Sequence, residues 1–262
     1  MPEGHTIHRL ADDQGDDLVG HRVEAESSQA RFRHGAARLN GQIVVACEAW
    51  GKHLFHEFAS GDVLHVHLGL IGTWVRRIDA GPPSPTVRLR LATRGVAWDL
   101  IGPMTCAVIG PDERDQVVAT LGPDPLRRDA NPERAWQLIH GSSRSIGLLL
   151  MEQGVIAGIG NVYRSELCNI VGIDPRRPGR AVTRDEFDAL WREAVRQLRL
   201  GVRRNRIVTM RVDELPRPLT RLARGEGRYA YKQEHCGRCH HELDVFPIAG
   251  RTTWRCPICQ PR

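Results

Sequence analysis

Four cysteines near the carboxyl end have the spacing of metal ligands. Cys236 and Cys239 form one C-x-x-C pair, Cys256 and Cys259 form a second, and sixteen residues separate the pairs. Each pair places two sulfurs on one side of a turn, which is typical of four thiolates that hold one structural zinc ion (Zn²⁺). Two disulfides in a secreted protein are the alternative, but the odd total of seven cysteines favours a reducing compartment. Arg251 precedes the second pair, where a hairpin could present it to a ligand.

The amino terminus offers a nucleophile next to an acid. The chain begins Met-Pro-Glu-Gly, and its small second residue permits removal of Met1. The secondary amine of Pro2 could then form an iminium with a carbonyl-like carbon, and the carboxylate of Glu3 could move protons for it. Many inert proteins also begin with Met-Pro, so these residues alone do not establish catalysis.

Two further segments suit anionic ligands. Gly158 and Gly160 form a turn that delivers Asn161 to the start of a helix, where backbone N–H groups and the amide would face one point. Lys52 follows Gly51 and enters an apolar strand, which would aim its ammonium at a phosphate. The alternatives are an ordinary connection between two helices and an exposed lysine.

The charge of the chain is concentrated in its last third. Residues 1–175 contain 17 Lys and Arg against 21 Asp and Glu, whereas residues 176–262 contain 20 against 10. Such a basic segment indicates a polyanionic partner, with a solvated arginine-rich surface as the alternative. No run of eighteen apolar residues occurs, which excludes a membrane-spanning helix.

The hydrophobic pattern predicts an α+β protein with several domains. Residues 5–19 are amphipathic and predict a first helix, and short β-like runs punctuated by glycine and proline follow to about residue 110, which favours a sandwich or barrel. Helices are predicted over residues 132–140, 146–153, 162–171 and 184–199. Between the cysteine pairs, apolar and polar residues alternate, which predicts two short strands.

Taken together and in this order, the motifs resemble the formamidopyrimidine-DNA glycosylase and endonuclease VIII family of base-excision repair enzymes, in particular the actinobacterial endonuclease VIII type. The matching segments are Pro2 to Gly4, Gly51 to Phe55, His67 to Leu70, Gly158 to Glu166 and Gly250 to Pro257. The resemblance implies an amino-terminal catalytic β-sandwich with a leading helix (1–122), a helix-two-turns-helix DNA-binding domain with a basic linker (123–225) and a zinc ribbon (226–262).

The resemblance also implies the chemistry. Pro2 would attack C1′ of a damaged nucleotide, displace the base and leave a Schiff base, while Glu3 would protonate the sugar oxygen as the ring opens. Lys52 and Arg251 match residues that grip phosphates beside the lesion and that are associated with β- and δ-elimination. Strand cleavage would follow from these steps.

Three more positions match DNA contacts of the family. His67 and Asn161 correspond to further phosphate contacts, and Leu70 to the apolar side chain that wedges into the vacated base stack. The three domains would close around bent DNA with the target nucleotide flipped out.

Two departures bear on the substrate. Thr6 stands where a second carboxylate is common in the family. The residues after Asp99 read Leu-Ile-Gly-Pro-Met, without the arginine that pairs with the orphaned cytosine in 8-oxoguanine-type enzymes. Oxidised pyrimidines and bare abasic sites are therefore the expected substrates.

We therefore expect a bifunctional DNA glycosylase and abasic-site lyase that acts on damaged double-stranded DNA. The alternatives are a formamidopyrimidine or 8-oxoguanine glycosylase and a non-catalytic protein that binds damaged DNA. A monomer in the bacterial cytoplasm, associated with the nucleoid and not with a membrane, is expected.

Overall fold

The computed structural model describes residues 2–261, and the chain divides between Thr120 and Leu121 into two compact units. The predicted removal of Met1 lies outside the described residues. The predicted limits of three domains, 1–122, 123–225 and 226–262, stay a prediction.

The amino-terminal unit is a β-sandwich with flanking helices. Its helices are α1 (Gly4–Leu18), α2 (Ala30–Leu39) and α3 (Pro111–Ala119). Its strands are β1 (Glu24–Glu26), β2 (Val44–Trp50), β3 (His53–Phe58), β4 (Val63–His67), β5 (Thr73–Ile78), β6 (Val87–Thr93), β7 (Val96–Ile101) and β8 (Thr105–Ile109). They form two antiparallel sheets with the orders β1-β6-β7-β5 and β2-β3-β4-β8. The predicted sandwich and first helix are confirmed.

Alternating apolar residues build the core of this sandwich. Leu54 and Leu64 on β3 and β4 are fully buried, as are Leu89, Leu91 and Leu100 on β6 and β7. Successive side chains of a strand point to opposite faces, so residues at every second position can fill one core.

The prediction of β-like structure from residue 20 to about 110 was wrong for α2. This helix buries Phe32, Ala36 and Leu39, which recur at helical spacing. Its exposed positions carry arginines, and Gly35 lies in its middle, so the period of its three apolar residues was masked.

The carboxyl-terminal unit is helical and ends in a β-hairpin. Its α-helices are α4 (Pro132–His140), α5 (Ile146–Leu149), α6 (Asn161–Val171) and α7 (Arg184–Arg204), with 3-10 turns at Gly179–Ala181, Val212–Glu214 and Leu219–Arg221. The hairpin strands are β9 (Asp244–Ile248) and β10 (Arg251–Arg255), paired antiparallel. The four predicted helices and the two predicted short strands are confirmed.

Local signals explain where these helices begin. The Asn131 side chain accepts a hydrogen bond of 3.0 Å from the Glu133 N–H, before Pro132 at the first helical position. Thr183 and Glu186 form the predicted capping box, in which the Thr183 N–H donates to the Glu186 carboxylate at 2.8 Å. No helix within residues 2–261 combines the length and apolar character needed to cross a bilayer.

Candidate active site and metal centre

Helix α1 runs antiparallel to β2, and this direction determines where the amino terminus lies. The Gly20 N–H donates to the Val44 carbonyl at 2.9 Å, so the end of the helix lies at the start of the strand. The Gln14 amide oxygen bonds the His56 ring farther along. Fifteen helical residues span about 22 Å and seven strand residues about 23 Å. The start of α1 and the end of β2 therefore share one edge of the sandwich.

Glu3 is the N-cap residue of α1, and its side chain is fully buried, with 0% exposure. The Thr6 N–H donates to the Glu3 carbonyl at 2.9 Å, which closes the first turn. Pro2 precedes it and is partly exposed. The predicted nucleophile is thus accessible, next to a carboxyl group withdrawn from solvent.

Lys52 lies in the two-residue turn between β2 and β3, at the same edge. Gly51 has φ +57°, and Trp50 pairs with His53 across the turn. A positive φ at the first turn position matches the right-handed twist of a hairpin and favours glycine there. Lys52 is partly exposed, and its positive charge contributes to lowering the pKa of His67, after the larger effect of burial.

His67 ends β4 opposite His53, so it also lies at this edge. The Gly69 N–H donates to the His67 Nδ1 at 3.1 Å, and burial lowers the pKa of the ring. The ring is therefore neutral near pH 7 and carries its proton on Nε2, because Nδ1 already accepts a hydrogen bond. A Nε2–H donor suits a phosphate oxygen.

Leu70 lies in the connection from β4 to β5 and is 53% exposed. Ile71 and Met104 are 85% and 69% exposed. A Cβ added to Gly69 would lie 2.9 Å from the Met104 Cβ, and Gly69 has φ +70°. The structure thus gathers three exposed apolar side chains at this edge, of which the sequence indicated only Leu70.

His53, directly after Lys52, belongs to a stack of histidine rings on β3 and β4. The sequence analysis assigned this stack no role. The His53 and His65 rings are joined by a hydrogen bond of 2.8 Å between Nδ1 and Nε2. Burial, followed by the positive charge of neighbouring groups, lowers the pKa of His53 to about 3 and that of His65 to about 4. The alternation of His65 and His67 in β4 was the available signal, since positions two apart share one face.

In the carboxyl-terminal unit, Asn161 and Arg251 come together. Asn161 is the first residue of α6, and its side-chain Nδ2 donates to the Thr252 carbonyl at 3.1 Å. Arg251 immediately precedes Thr252 and is exposed. It follows a tight turn in which Ala249 and Gly250 have φ +48° and +72°. Two predicted phosphate-binding residues, ninety positions apart, are therefore neighbours.

The four predicted cysteine ligands also cluster, with all four sulfurs within 4.8 Å of one another. The Cys236 and Cys259 Sγ atoms are 3.9 Å apart, and those of Cys239 and Cys256 are 3.4 Å apart. A tetrahedron with Zn–S bonds of about 2.3 Å has edges of about 3.8 Å. The Asn169 amide donates to the Cys236 sulfur at 3.5 Å, as expected beside a thiolate. The donor set therefore fits a metal ion.

Helix α6 carries a second interaction that the sequence analysis missed. The fully buried carboxylate of Glu166 accepts hydrogen bonds from the N–H groups of Tyr229, Ala230 and Tyr231 at 2.7, 2.9 and 2.6 Å, and from the Thr209 hydroxyl. These residues lead into the first cysteine pair. The segment before the metal centre is thus fastened to the helix that begins with Asn161.

Comparison with known families agrees with this architecture. The family model of the formamidopyrimidine-DNA glycosylase N-terminal domain matches residues 1–102, and the family model of the H2TH domain of the same enzymes matches residues 121–212. The fold and its sites define a DNA-repair glycosylase with a β-sandwich, a helix-two-turns-helix segment and a four-cysteine hairpin.

Relatives and solved structures extend the comparison to the whole chain. Endonuclease 8 1 of Mycobacterium tuberculosis is 45% identical, covering 99% of this chain and 100% of that protein. Formamidopyrimidine-DNA glycosylase of Stutzerimonas stutzeri is 31% identical, covering 99% and 98%. A Lactococcus lactis formamidopyrimidine-DNA glycosylase bound to DNA with an N7-benzyl-Fapy-dG superposes with a TM-score of 0.82 at 20% identity, covering 100% of both chains. The chain belongs to the formamidopyrimidine-DNA glycosylase and endonuclease VIII family.

Proposed function

We propose that this protein is a bifunctional DNA glycosylase and abasic-site lyase of the endonuclease VIII type. After removal of Met1, the Pro2 nitrogen attacks C1′ of the damaged nucleotide. The glycosidic bond between C1′ and the base then breaks, and the base leaves with the electron pair of that bond and gains a proton. Glu3 donates a proton to O4′ as the C1′–O4′ bond opens, and the nitrogen lone pair forms the iminium. Loss of a C2′ proton expels the 3′ phosphate, and loss of the C4′ proton then expels the 5′ phosphate.

The observation that carries this proposal is the shared edge of the sandwich. Pro2 and Glu3 directly precede α1, and Lys52 lies in the turn that follows the adjacent β2. They share this edge because helix and strand are antiparallel and of nearly equal length. A nucleophile, a buried acid and a cation are the groups that the two stages of the reaction need. A protein that only binds DNA has no need for a buried glutamate next to a terminal proline amine.

Phosphate binding is assigned to residues of both units. In the amino-terminal unit, Lys52 supplies a charge and the neutral His67 a Nε2–H donor. In the carboxyl-terminal unit, Asn161 and Arg251 supply an amide and a guanidinium at the start of α6, where the helix dipole also favours an anion. Leu70 fills the space of the flipped nucleotide.

The expected lesions are oxidised pyrimidines, together with abasic sites. Between β7 and β8 the chain passes through only Gly102, Pro103 and Met104. This connection supplies no arginine that could pair with an orphaned cytosine. The exposed side chain there is the apolar Met104.

The four cysteines are proposed to hold one structural zinc ion, which would stabilise the hairpin that carries Arg251. Zinc supplies no step of the reaction. The partner is damaged double-stranded DNA, as in the Lactococcus lactis enzyme solved with DNA containing an abasic site. We place the protein, as a monomer, on the bacterial nucleoid in the cytoplasm.

Borohydride reduction in the presence of an abasic-site duplex tests the reaction. We expect a covalent adduct that is lost in Pro2→Gly and when one residue is added before Pro2. The sequence contains only two lysines, Lys52 and Lys232, so peptide mapping separates a proline adduct from a lysine adduct. No adduct with the intact terminus would refute the lyase. A panel of thymine glycol, dihydrouracil, 8-oxoguanine and uracil then tests the lesion preference.

A further inference from the structure

Arg164 is a charged residue that the proposed reaction does not use. It lies in α6, three positions after Asn161, and its side chain is fully buried, with 0% exposure. Removing a guanidinium from water is costly, and apolar residues of similar volume often serve packing equally well. A buried arginine at this position therefore calls for a specific role.

The contacts of Arg164 converge on the proposed phosphate-binding residues. One guanidinium nitrogen donates to the Asn161 Oδ1 and to the Thr252 carbonyl, the latter at 3.1 Å, and the other donates to the Gly147 carbonyl at 3.5 Å. One side chain thus joins α5, the start of α6 and the start of β10. Each of these acceptors is a neutral oxygen.

These bonds determine which way the Asn161 amide faces. Arginine has only donors, so the amide atom facing Arg164 is the oxygen, and Nδ2 is on the opposite side. One Nδ2–H group donates to the Thr252 carbonyl. The other is then available to an anion, whereas a rotated amide would present its oxygen and repel a phosphate.

The same bonds fix the residue next to Arg251. The Thr252 carbonyl accepts from both Asn161 and Arg164, so the peptide between Thr252 and Thr253, directly after Arg251, is held by two donors from α6. Within residues 2–261 the Arg251 side chain has no hydrogen bond or ion pair of its own. Its direction therefore depends on how its backbone is held.

From these contacts we infer that Arg164 is a positioning residue that orients the Asn161 amide and the Arg251 backbone toward one DNA phosphate. This inference rests on the proposed function. Arg164 itself does not touch the DNA, and its positive charge beneath the amide strengthens the Nδ2–H donor.

Binding of a duplex with a tetrahydrofuran abasic-site analogue, measured at several salt concentrations, tests the inference. We expect Arg164→Met to raise Kd roughly tenfold, the loss of about one hydrogen bond to a charged group, and to flatten the salt slope by up to about one as Arg251 disengages. Arg164→Lys keeps the charge but cannot reach all three acceptors, so its Kd should lie between those of Arg164→Met and the unmodified protein. Should Arg164→Met fail to fold, Arg164→Lys alone decides, and a Kd equal to that of the unmodified protein overturns the inference.

A double-mutant cycle separates positioning from general stability. If Arg164 acts through Asn161, Arg164→Met combined with Asn161→Ala should bind little worse than Asn161→Ala alone. Additive losses would overturn the inference. The matched control is Arg238→Met. The Arg238 guanidinium also joins the carboxyl-terminal segment to α6, but it does so from the first cysteine pair and through the Asn169 carbonyl at 2.6 Å. We expect it to keep the Kd and the salt slope.

The outcomes also separate this inference from the proposed function. Unchanged binding by Arg164→Met, with normal melting temperature and zinc content, refutes the positioning role while the lyase stands. Absence of both binding and borohydride adduct in the unmodified protein refutes the proposed function, and the inference with it.

Discussion

Replacing Glu166 by glutamine removes the charge at the centre of the carboxyl-terminal unit. One carboxylate oxygen accepts from the Tyr229 N–H and the Thr209 hydroxyl, and the other from the N–H groups of Ala230 and Tyr231. An amide keeps only one oxygen, so its NH₂ group must face donors at the other position. An unpaired buried N–H costs about 1–3 kcal/mol, and the remaining bonds lose roughly half their strength without the charge. Together we expect a loss of about 3–5 kcal/mol.

This loss should appear in one calorimetric transition. For a unit of this size, each kcal/mol lowers the melting temperature by about 2–4 °C, which gives a shift of roughly 10 °C for the carboxyl-terminal unit. The transition of the amino-terminal unit should not move. The matched control is Glu193→Gln on α7, because Glu193 pairs at 2.9 Å with the exposed Arg196, and surface pairs contribute at most about 1 kcal/mol. Equal shifts in the two variants would refute the role given to Glu166.

Four further outcomes follow from the geometry. Because the folded chain holds His53, His56 and His65 neutral, with pKa values lowered to about 3, 4 and 4 from 6.5, the amino-terminal unit should lose stability as pH falls from about 6.5 toward 4. The free energy of unfolding should fall by up to about 1.4 kcal/mol per pH unit for each ring. A free energy of unfolding that stays constant between pH 7 and 4 in denaturant titrations would contradict this expectation. Gly69→Ala places a side chain on a left-handed backbone, with its Cβ 2.9 Å from that of Met104, so binding of an abasic-site duplex should weaken. The control is Gly95→Ala, which has a similar backbone (φ +88°) but no atom within 4 Å of the added Cβ, and it should alter only stability. Arg251→Ala should weaken binding to all lesions alike and lower the salt slope by about one, and an unchanged slope would argue against a phosphate contact. Chelation of zinc should abolish DNA binding and cutting while the circular dichroism of the β-sandwich persists, and cutting by metal-free protein would count against the hairpin's role.

The sequence predicted the parts of the site that depend on short spacing. The cysteine pairs, the Gly51 turn before Lys52 and the helix start at Asn161 are local signals, and each is present as predicted. The roles of Pro2 and Arg251 came from the family resemblance and stay predictions until tested by substitution.

Interactions between distant segments could not be predicted in the same way. One acceptor of Arg164, the Thr252 carbonyl, lies 88 positions further along the chain, and the N–H donors to Glu166 lie 63 to 65 positions further along. No periodicity links such residues, because the pairing depends on how α6 packs against the segment before the cysteines. Helix α2 was missed for a different reason, since its three buried residues lie among arginines.

The equal lengths of α1 and β2 also restrict how the chain can gain or lose residues. Each helical residue turns the backbone by about 100° and advances it by 1.5 Å. A single deletion within α1, whose end is fixed by the Gly20 and Val44 backbones, would therefore swing Pro2 and Glu3 away from Lys52 without altering any of these side chains. Substitutions on the exposed face of α1 leave the length and direction of the helix unchanged. Insertions and deletions in this helix should consequently be far more damaging than replacements.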